Sequence, residues 1–340
     1  MEISRVLVAL DPTIEVIREA GEKGAELLVT HHPLIFDPLR GLDLSRPAAA
    51  AVAEAIGRGV AVFACHTNAD VARPGVSDAL AEALEIASGP ALAPQTEDKI
   101  KVVSFVPPDA VHPVLEAMAT AGAGVIGGYD VCSFRSPGIG TIRPSVATKP
   151  KTRRKKAASS RSRGTRKVNE VEEDRLEMIV PRESVTAVVE ALRVAHPYEE
   201  PVVDVYALET RSGVGYGRVG ELPKPTTAAE LLASCRERLG GTPRLVGDPE
   251  QPTHLVAVCA GSGAALLADA ITANADAFVT GDVKHHQALD ARAAGLVLID
   301  AGHHATEWPF VEHLAARLVK LEQEAEVLIS ETATDPFRGA

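Results

Sequence analysis

Short, evenly apolar runs of five or six residues alternate with amphipathic stretches in this chain, and that alternation limits the folds open to it. Val6–Leu10, Glu26–Thr30 (ELLVT) and Val60–Cys65 (VAVFAC) are too short for surface helices and read as strands. Thr13–Lys23 and Pro47–Arg58 read as the intervening helices, and Ser77–Ile86 as a third helix with Ser77 as its N-cap. Apolar strands separated by helices predict parallel βαβ units with both faces covered.

The same rhythm returns late in the chain. Leu255–Ala260, Ala277–Thr280, Leu296–Asp300 and the short Glu326–Ile329 read as strands. Ala264–Ala273, Lys284–Ala294 and Thr306–Lys320 read as helices. The middle differs: strand Lys101–Val106, helix Asp109–Ala121, strand Gly124–Tyr129, then strand Arg175–Val180, helix Arg182–Ala195 and strand Pro201–Leu208. That β-α-β, β-α-β order is a ferredoxin-like signature. The expected class is α/β, with two related α/β/α halves (1–98 and 211–340) forming one body. A ferredoxin-like α+β insert (99–210) interrupts it.

Charge divides the chain further. The formal net charge is −11, yet residues 149–167 (KPKTRRKKAASSRSRGTRK) hold ten Lys or Arg and no acid, leaving 25 basic against 46 acidic residues elsewhere. A body near −21 with 4% aromatics lacks both the phosphate-facing field and the stacking platforms of a general nucleic-acid binder. The belt itself has too few apolar residues to order itself and is expected as a mobile loop between the halves of the insert. Contact with nucleic acid or an acidic partner falls to the belt, 149–167, alone. Four scattered cysteines without a CxxC pair exclude a disulfide scaffold and a thiolate zinc site. No run of roughly 18 uncharged apolar residues predicts a membrane span. The start, MEISRVLVAL, carries no cleavable leader, so a cytoplasmic protein is expected.

Histidines cluster where ligands gather in parallel sheets, just after strands. ELLVT runs into His31-His32-Pro33, VAVFAC into His66-Thr67-Asn68-Ala69-Asp70, and LVLID into Ala301-Gly302-His303-His304-Ala305-Thr306-Glu307. Neighbours in extended chain point apart, and Pro33 biases His32 towards extended geometry, so His31 and His32 suit two metal ions better than one. His303 and Glu307 are i and i+4 and share a helix face if the last helix starts near His303. Glu307 could then bridge two ions. Asp70 adds a second carboxylate. Three imidazoles and two carboxylates without thiolate suit Zn²⁺, Mn²⁺, Fe²⁺ or Co²⁺ and leave positions open for water, which points to hydrolysis.

Other features stay ambiguous at this level. Lys284, His285 and His286 could line the cleft, or Asp282 could simply cap the helix that follows. Gly261-Ser262-Gly263 could hold an anion or provide a tight turn. Gly213-x-Gly-x-Gly217 lacks a dinucleotide-fold context. His196-Pro197-Tyr198-Glu199-Glu200-Pro201 reads as a rigid turn, and Cys65 as a core residue.

LLVTHHPLIF (Leu27–Phe36), HTNAD (His66–Asp70), GDVKHHQALDA (Gly281–Ala291) and DAGHHATE (Asp300–Glu307) resemble the Nif-three-like dinuclear-metal family, whose members often carry the name GTP cyclohydrolase I type 2. HPYEEPVVDVY (His196–Tyr206) and GYGRVGEL (Gly215–Leu222) resemble the end and junction of its insert. The resemblance covers almost the whole chain and implies a homohexameric toroid with two divalent ions per chain. His31 and His303 would bind one ion and His32 and Asp70 the other, with Glu307 bridging and His66 either supporting the ligands from behind or assisting proton transfer. The implied activity is hydrolysis of a small molecule, a nucleotide in the cyclohydrolase version, with metal-activated water as nucleophile. The alternative is a non-enzymatic metal-binding ring that regulates or scaffolds partners through its insert. Three departures stand out. The helix and Trp-Asp segment usual before the first strand are not in this sequence, His304 replaces the usual tyrosine, and the basic belt replaces a Gly-rich loop.

Overall fold

The apolar runs pair into parallel sheets. The computed structural model describes residues 3–96, 98–143, 168–209, 211–321 and 324–337. It divides into two compact units, Met1–Gln95 with Arg211–Ala340, and Thr96–Thr210.

In the first unit, Arg5–Ala9 lies between Leu27–Thr30 and Glu326–Ile329, and Ala61–Ala64 pairs outside Leu27–Thr30, all in parallel. Alternation sorts the side chains. Leu7, Ala9 and Leu28 face Val16, Ile17 and Ala20 of helix Ile14–Glu22 and Ala51 and Ala55 of helix Pro47–Arg58. Val6, Val8 and Val29 face Val311 and Ala315 of the long helix His303–Leu321. Leu7 and Leu28 are fully buried, worth roughly 1.5–3 kcal/mol each. Thr13 caps the first helix, its hydroxyl accepting from Val16 N–H, so that helix begins at Ile14.

The second sheet of this unit runs Arg218–Thr227, Pro252–Val258, Ala277–Thr280, Val297–Asp300, Arg244–Val246. The three inner strands are parallel and the two outer ones antiparallel to their neighbours. Helices Val76–Ala83 and Ala228–Leu239 cover one face, burying Leu80, Leu231 and Cys235 against Val256, Val279 and Ile299. Leu267–Thr272 and His285–Ala293 cover the other, with Phe278 and Leu298 at its centre. Both outer strands and helix Ala228–Leu239 escape the apolar pattern. RVGELPKPTT breaks its alternation with two prolines, and RLV is only three residues long. Ser77 is not a cap. It lies buried inside Val76–Ala83, which Gly75 opens with its N–H on Asp78 Oδ2 at 2.8 Å. A Cβ at Gly75 would sit 2.3 Å from Ala69 O and 2.5 Å from Ala72 O, so the tight entry excludes a serine cap there.

The second unit is an antiparallel sheet in the order Ser133–Ile142, Asn169–Pro181, Lys99–Val106, Val203–Ala207. Helices Val111–Thr120 and Val185–Ala195 supply Val114, Met118, Val188 and Leu192 to its core. The expected strand Gly124–Tyr129 is a turn: Ile126 and Tyr129 bond each other, and Gly124 and Gly127 take positive φ. The strand lies later, at Ser133–Ile142, where Pro137, Gly138 and Gly140 hide it from a β-propensity reading. The basic belt 149–167 lies outside the described residues. No helix among the described residues is long and apolar enough to cross a membrane.

Candidate metal centre

Three strand ends of the first unit carry the chemistry. Leu27–Thr30 delivers His31 and His32, whose backbone is fixed by His32 N–H on Leu10 O and by the Thr30 hydroxyl on His32 O. Ala61–Ala64 delivers His66 and the short helix Thr67–Val71 that carries Asp70. Val297–Asp300 turns through Gly302 into the long helix, which starts at His303 and so sets His303 and Glu307 on one face.

The side chains converge. Glu307, 4% exposed, sends Oε1 to 3.2 Å from His303 Nε2 and 3.6 Å from His31 Nε2, and Oε2 to 3.2 Å from His32 Nε2. His31 Nε2 is 3.6 Å from Asp70 Oδ1, and the Nε2 atoms of His32 and His303 are 3.3 Å apart. His66 lies beside the pair, its ring centroid 5.3 Å from that of His31 and 5.7 Å from that of His32. Two sets, His31–His32–His66 and His32–His303–Glu307, bring one ligand atom per residue within 4.8 Å of one another and could hold a metal ion. The distances thus set His32 with His303 and His31 with Asp70, around Glu307. The resemblance implies the crossed pairing, His31 with His303 and His32 with Asp70.

The imidazoles of His31, His32 and His303 are each held from behind. His31 Nδ1 donates to Cys65 O at 2.8 Å; a carbonyl only accepts, so this ring presents its other nitrogen to the cluster. His32 Nδ1 meets Asp11 Oδ1 at 2.7 Å and His303 Nδ1 meets Asp282 Oδ2 at 2.7 Å. Such carboxylate backing fixes ring orientation and raises ligand basicity. Asp11 and Asp282 were not legible as part of the site: one reads as a turn residue and the other as a helix cap. The cap of helix His285–Ala293 is Lys284, with its N–H on Gln287 Oε1, which frees Asp282 for His303.

His31 Nε2 and Glu307 Oε2 are buried without a hydrogen-bond partner. Buried polar atoms are rarely left so, and a divalent cation between imidazole and carboxylate satisfies both. The donor set therefore fits a metal. Electrostatics agrees. Burial works to lower the His32 pKa, but the carboxylates of Asp11 and Glu307, one beside each ring nitrogen, raise it to about 10. The Glu307 hydrogen bond, opposed by burial and aided by Asp282, raises His303 to about 9. Burial would raise Glu307, but His303, His31 and His32 outweigh it and hold this carboxyl far below its usual range. Burial raises Asp70 and lowers His66, which the neighbouring imidazoles lower further. The side chains alone thus gather positive charge on His32 and His303 around one carboxylate, at the place a cation would replace those protons.

A cavity of about 710 Å³ opens on the His32–His303 flank, lined also by Asp11, Arg244, His304 and the C-terminal Thr334–Phe337. His304 stacks on Trp308 with ring centroids 5.5 Å apart. Lys284, His285 and His286 are exposed and do not line this cavity. The Gly261-Ser262-Gly263 turn serves close approach: a Cβ on Gly261 (φ 65°) would sit 2.1 Å from Glu307 Oε1. In the second unit, His196 accepts from Tyr198 N–H and bonds Phe105 O, the rigid turn expected there. Cys65 is half-buried; its carbonyl holds His31, while burial pushes its thiol up.

A mixed α/β chain carrying a buried His–carboxylate cluster at its strand ends is the class these observations define. The chain belongs to the Duf34/NIF3 (NGG1p interacting factor 3) family, whose pattern matches residues 1–336. A protein named GTP cyclohydrolase 1 type 2 homolog from Halalkalibacterium halodurans is 38% identical, covering 98% of this chain and 89% of its own. A Mycobacterium tuberculosis protein of the same name is 38% identical over 98% and 87%. Among solved structures, a Staphylococcus aureus protein matches with a TM-score of 0.80 and 29% identity, covering 100% and 89%. A Bacillus cereus protein related to NIF3 matches at 0.65 and 34%, covering 100% and 90%.

Proposed function

We propose that this chain is a dinuclear-metal-dependent hydrolase, GTP cyclohydrolase I type 2-like in its chemistry. The observation that carries the reading is the buried, unpartnered pair His31 Nε2 and Glu307 Oε2 inside a cluster in which His31, His32 and His303 are pinned through Nδ1. Two divalent ions, Zn²⁺, Mn²⁺, Fe²⁺ or Co²⁺, when bound among His31, His32, Asp70, His303 and Glu307, supply Lewis-acid polarisation and a more acidic water. Glu307, with Oε1 facing His31 and His303 and Oε2 facing His32, would serve both positions. Asp70 adds negative charge at the His31 side. His66, neutral at pH 7 because burial lowers its pKa, accepts a proton from the attacking water and returns it to the leaving nitrogen or oxygen. In the cyclohydrolase version, water adds to the imidazole-ring carbon of the GTP base and a ring C–N bond breaks. The strand order of the second unit supports a ferredoxin-like insert. The two sheets of the first support related α/β/α halves. A cytoplasmic homohexamer completes the reading.

Metal content per chain, wild type against Glu307→Ala, tests the centre: two ions fall to one or none, and unchanged content refutes the assignment. Screening Zn²⁺- or Mn²⁺-loaded protein with GTP and phosphoesters tests the chemistry. Turnover is expected in wild type and lost in His32→Ala; no turnover with any metal refutes the enzyme. A second reading, a metal-binding regulatory or scaffold ring, rests on the ten cations of 149–167. Deleting that segment abolishes salt-sensitive binding to nucleic acid or acidic partners if the belt carries it.

A further inference from the structure

Thr334, near the end of the chain, reaches the centre through one hydroxyl. The segment before it is clasped by Glu19 on helix Ile14–Glu22. Glu19 accepts from Ser330 Oγ and Thr332 Oγ1, each at 2.6 Å, and from the N–H groups of Glu331 at 2.8 Å and Thr332 at 3.2 Å. Ser330 N–H also bonds Val8 O, and Lys23 Nζ lies 2.8 Å from Glu19 Oε1. With residues 330–332 fixed, the half-buried Thr334 donates its hydroxyl to Asp11 Oδ2 at 2.5 Å, while Asp11 Oδ1 holds His32 Nδ1. Both oxygens of Asp11 are therefore tied, which fixes the plane of the carboxylate and with it the imidazole. The other two rings are held differently. His31 is held by a backbone carbonyl, and Asp282 behind His303 makes no other side-chain hydrogen bond among the described residues.

We propose that Thr334 is a positioning residue for His32. It acts through Asp11 to set the affinity of the ion position that His32 serves, and it leaves the other position alone. The inference rests on the dinuclear reading above. It does not depend on how His31, His32, Asp70 and His303 are paired, because only His32 touches Asp11. A hydroxyl some 300 residues along the chain from His32 then contributes to metal affinity by orientation, as outer partners of metal-bound histidines do, typically by 10- to 100-fold.

The experiment is Zn²⁺ titration of the metal-free full chain by calorimetry, for wild type, Thr334→Val, Thr334→Ser and Glu19→Gln. Valine keeps the shape and removes the donor. One equivalent is expected to weaken by 10-fold or more in Thr334→Val while the other is unchanged, with wild-type affinity returning in Thr334→Ser. Glu19→Gln, which loosens the clasp, weakens the same equivalent. The melting temperature of metal-free Thr334→Val stays within about 3 °C of wild type, which separates orientation from unfolding. A Thr334→Val isotherm that overlays wild type, equal weakening of both equivalents, or a serine variant as weak as valine overturns the proposal. The wild-type stoichiometry separately reads the dinuclear assignment, since two equivalents there with no response in Thr334→Val refutes only the role of Thr334.

Discussion

Replacing Arg218 by methionine should unfold the first unit far more readily than its single position suggests. Arg218 is 0% exposed and its guanidinium makes five hydrogen bonds. Nε meets Asp78 Oδ1 at 2.9 Å, and Nη2 meets Asp78 Oδ2 and Ala72 O, both at 2.6 Å. Nη1 donates to Gly215 O at 2.8 Å and to Gly217 O at 2.7 Å. Methionine fills most of the volume but leaves the Asp78 carboxylate buried with only Gly75 N–H and the Ser88 hydroxyl as partners. Breaking a buried pair by removing one partner costs about 3–5 kcal/mol. The carbonyls of Ala72, Gly215 and Gly217 each lose a charged donor, which pushes the loss to the upper end, about 5 kcal/mol. Arg218→Met/Asp78→Asn removes the stranded charge and should recover about 2 kcal/mol. The pH dependence follows from the same pair. In wild type, burial would raise the Asp78 pKa, but Arg218, Ser88 and Gly75 lower it below 3.8, so its contribution is present at neutral pH and lost as pH falls through that lowered value. Without Arg218 the folded-state pKa rises above the unfolded one, so the variant's deficit is smaller at pH 4 than at pH 7. The one tryptophan, Trp308, lies on the long helix of this unit, so urea unfolding followed by its fluorescence reads the unit directly. A loss under about 1 kcal/mol at pH 7, or equal losses at both pH values, refutes the reasoning.

Two further outcomes follow from the centre. Gly261→Ala places a Cβ on Glu307 Oε1 and forces a non-glycine residue to φ 65°. It should cost about 1–3 kcal/mol and weaken metal binding, whereas a variant that binds ions as wild type does would deny the close approach its role. His32 and His303, raised to about 10 and about 9, carry protons at pH 7.5 that an ion must displace. Affinity should therefore climb with pH through neutrality, and calorimetry in buffers of different ionisation enthalpy should read net proton release on binding; zero release contradicts the assignment.

How much of this was legible in the sequence depends on the range of the signal. His31, His32, His66, Asp70, His303 and Glu307 sit at strand ends, and both the strand and its polar terminus are local patterns. The i, i+4 relation of His303 and Glu307 became a shared face because Gly302 turns the chain immediately before the helix. Asp11 and Asp282 carry no such local mark. An aspartate after a strand looks the same whether it turns the chain or backs a histidine 21 residues away, and sheet order decides between them. Arg218 is likewise silent: one arginine among glycines gives no sign that it will be fully buried. Strand Ser133–Ile142 was hidden by its own composition, and only its ten-residue pairing with Asn169–Pro181 makes it a strand.

The separation of His32 from His303, 271 residues along the chain, has a consequence for how the protein is made. During synthesis His31, His32, His66 and Asp70 leave the ribosome well before His303 and Glu307, which complete the cluster. The strand Glu326–Ile329, paired beside Arg5–Ala9, emerges later still. The centre therefore cannot assemble before Glu307 has been made. Once filled, ions held jointly by residues near 31 and near 303 would tie two segments far apart in the chain to each other, opposing their local opening.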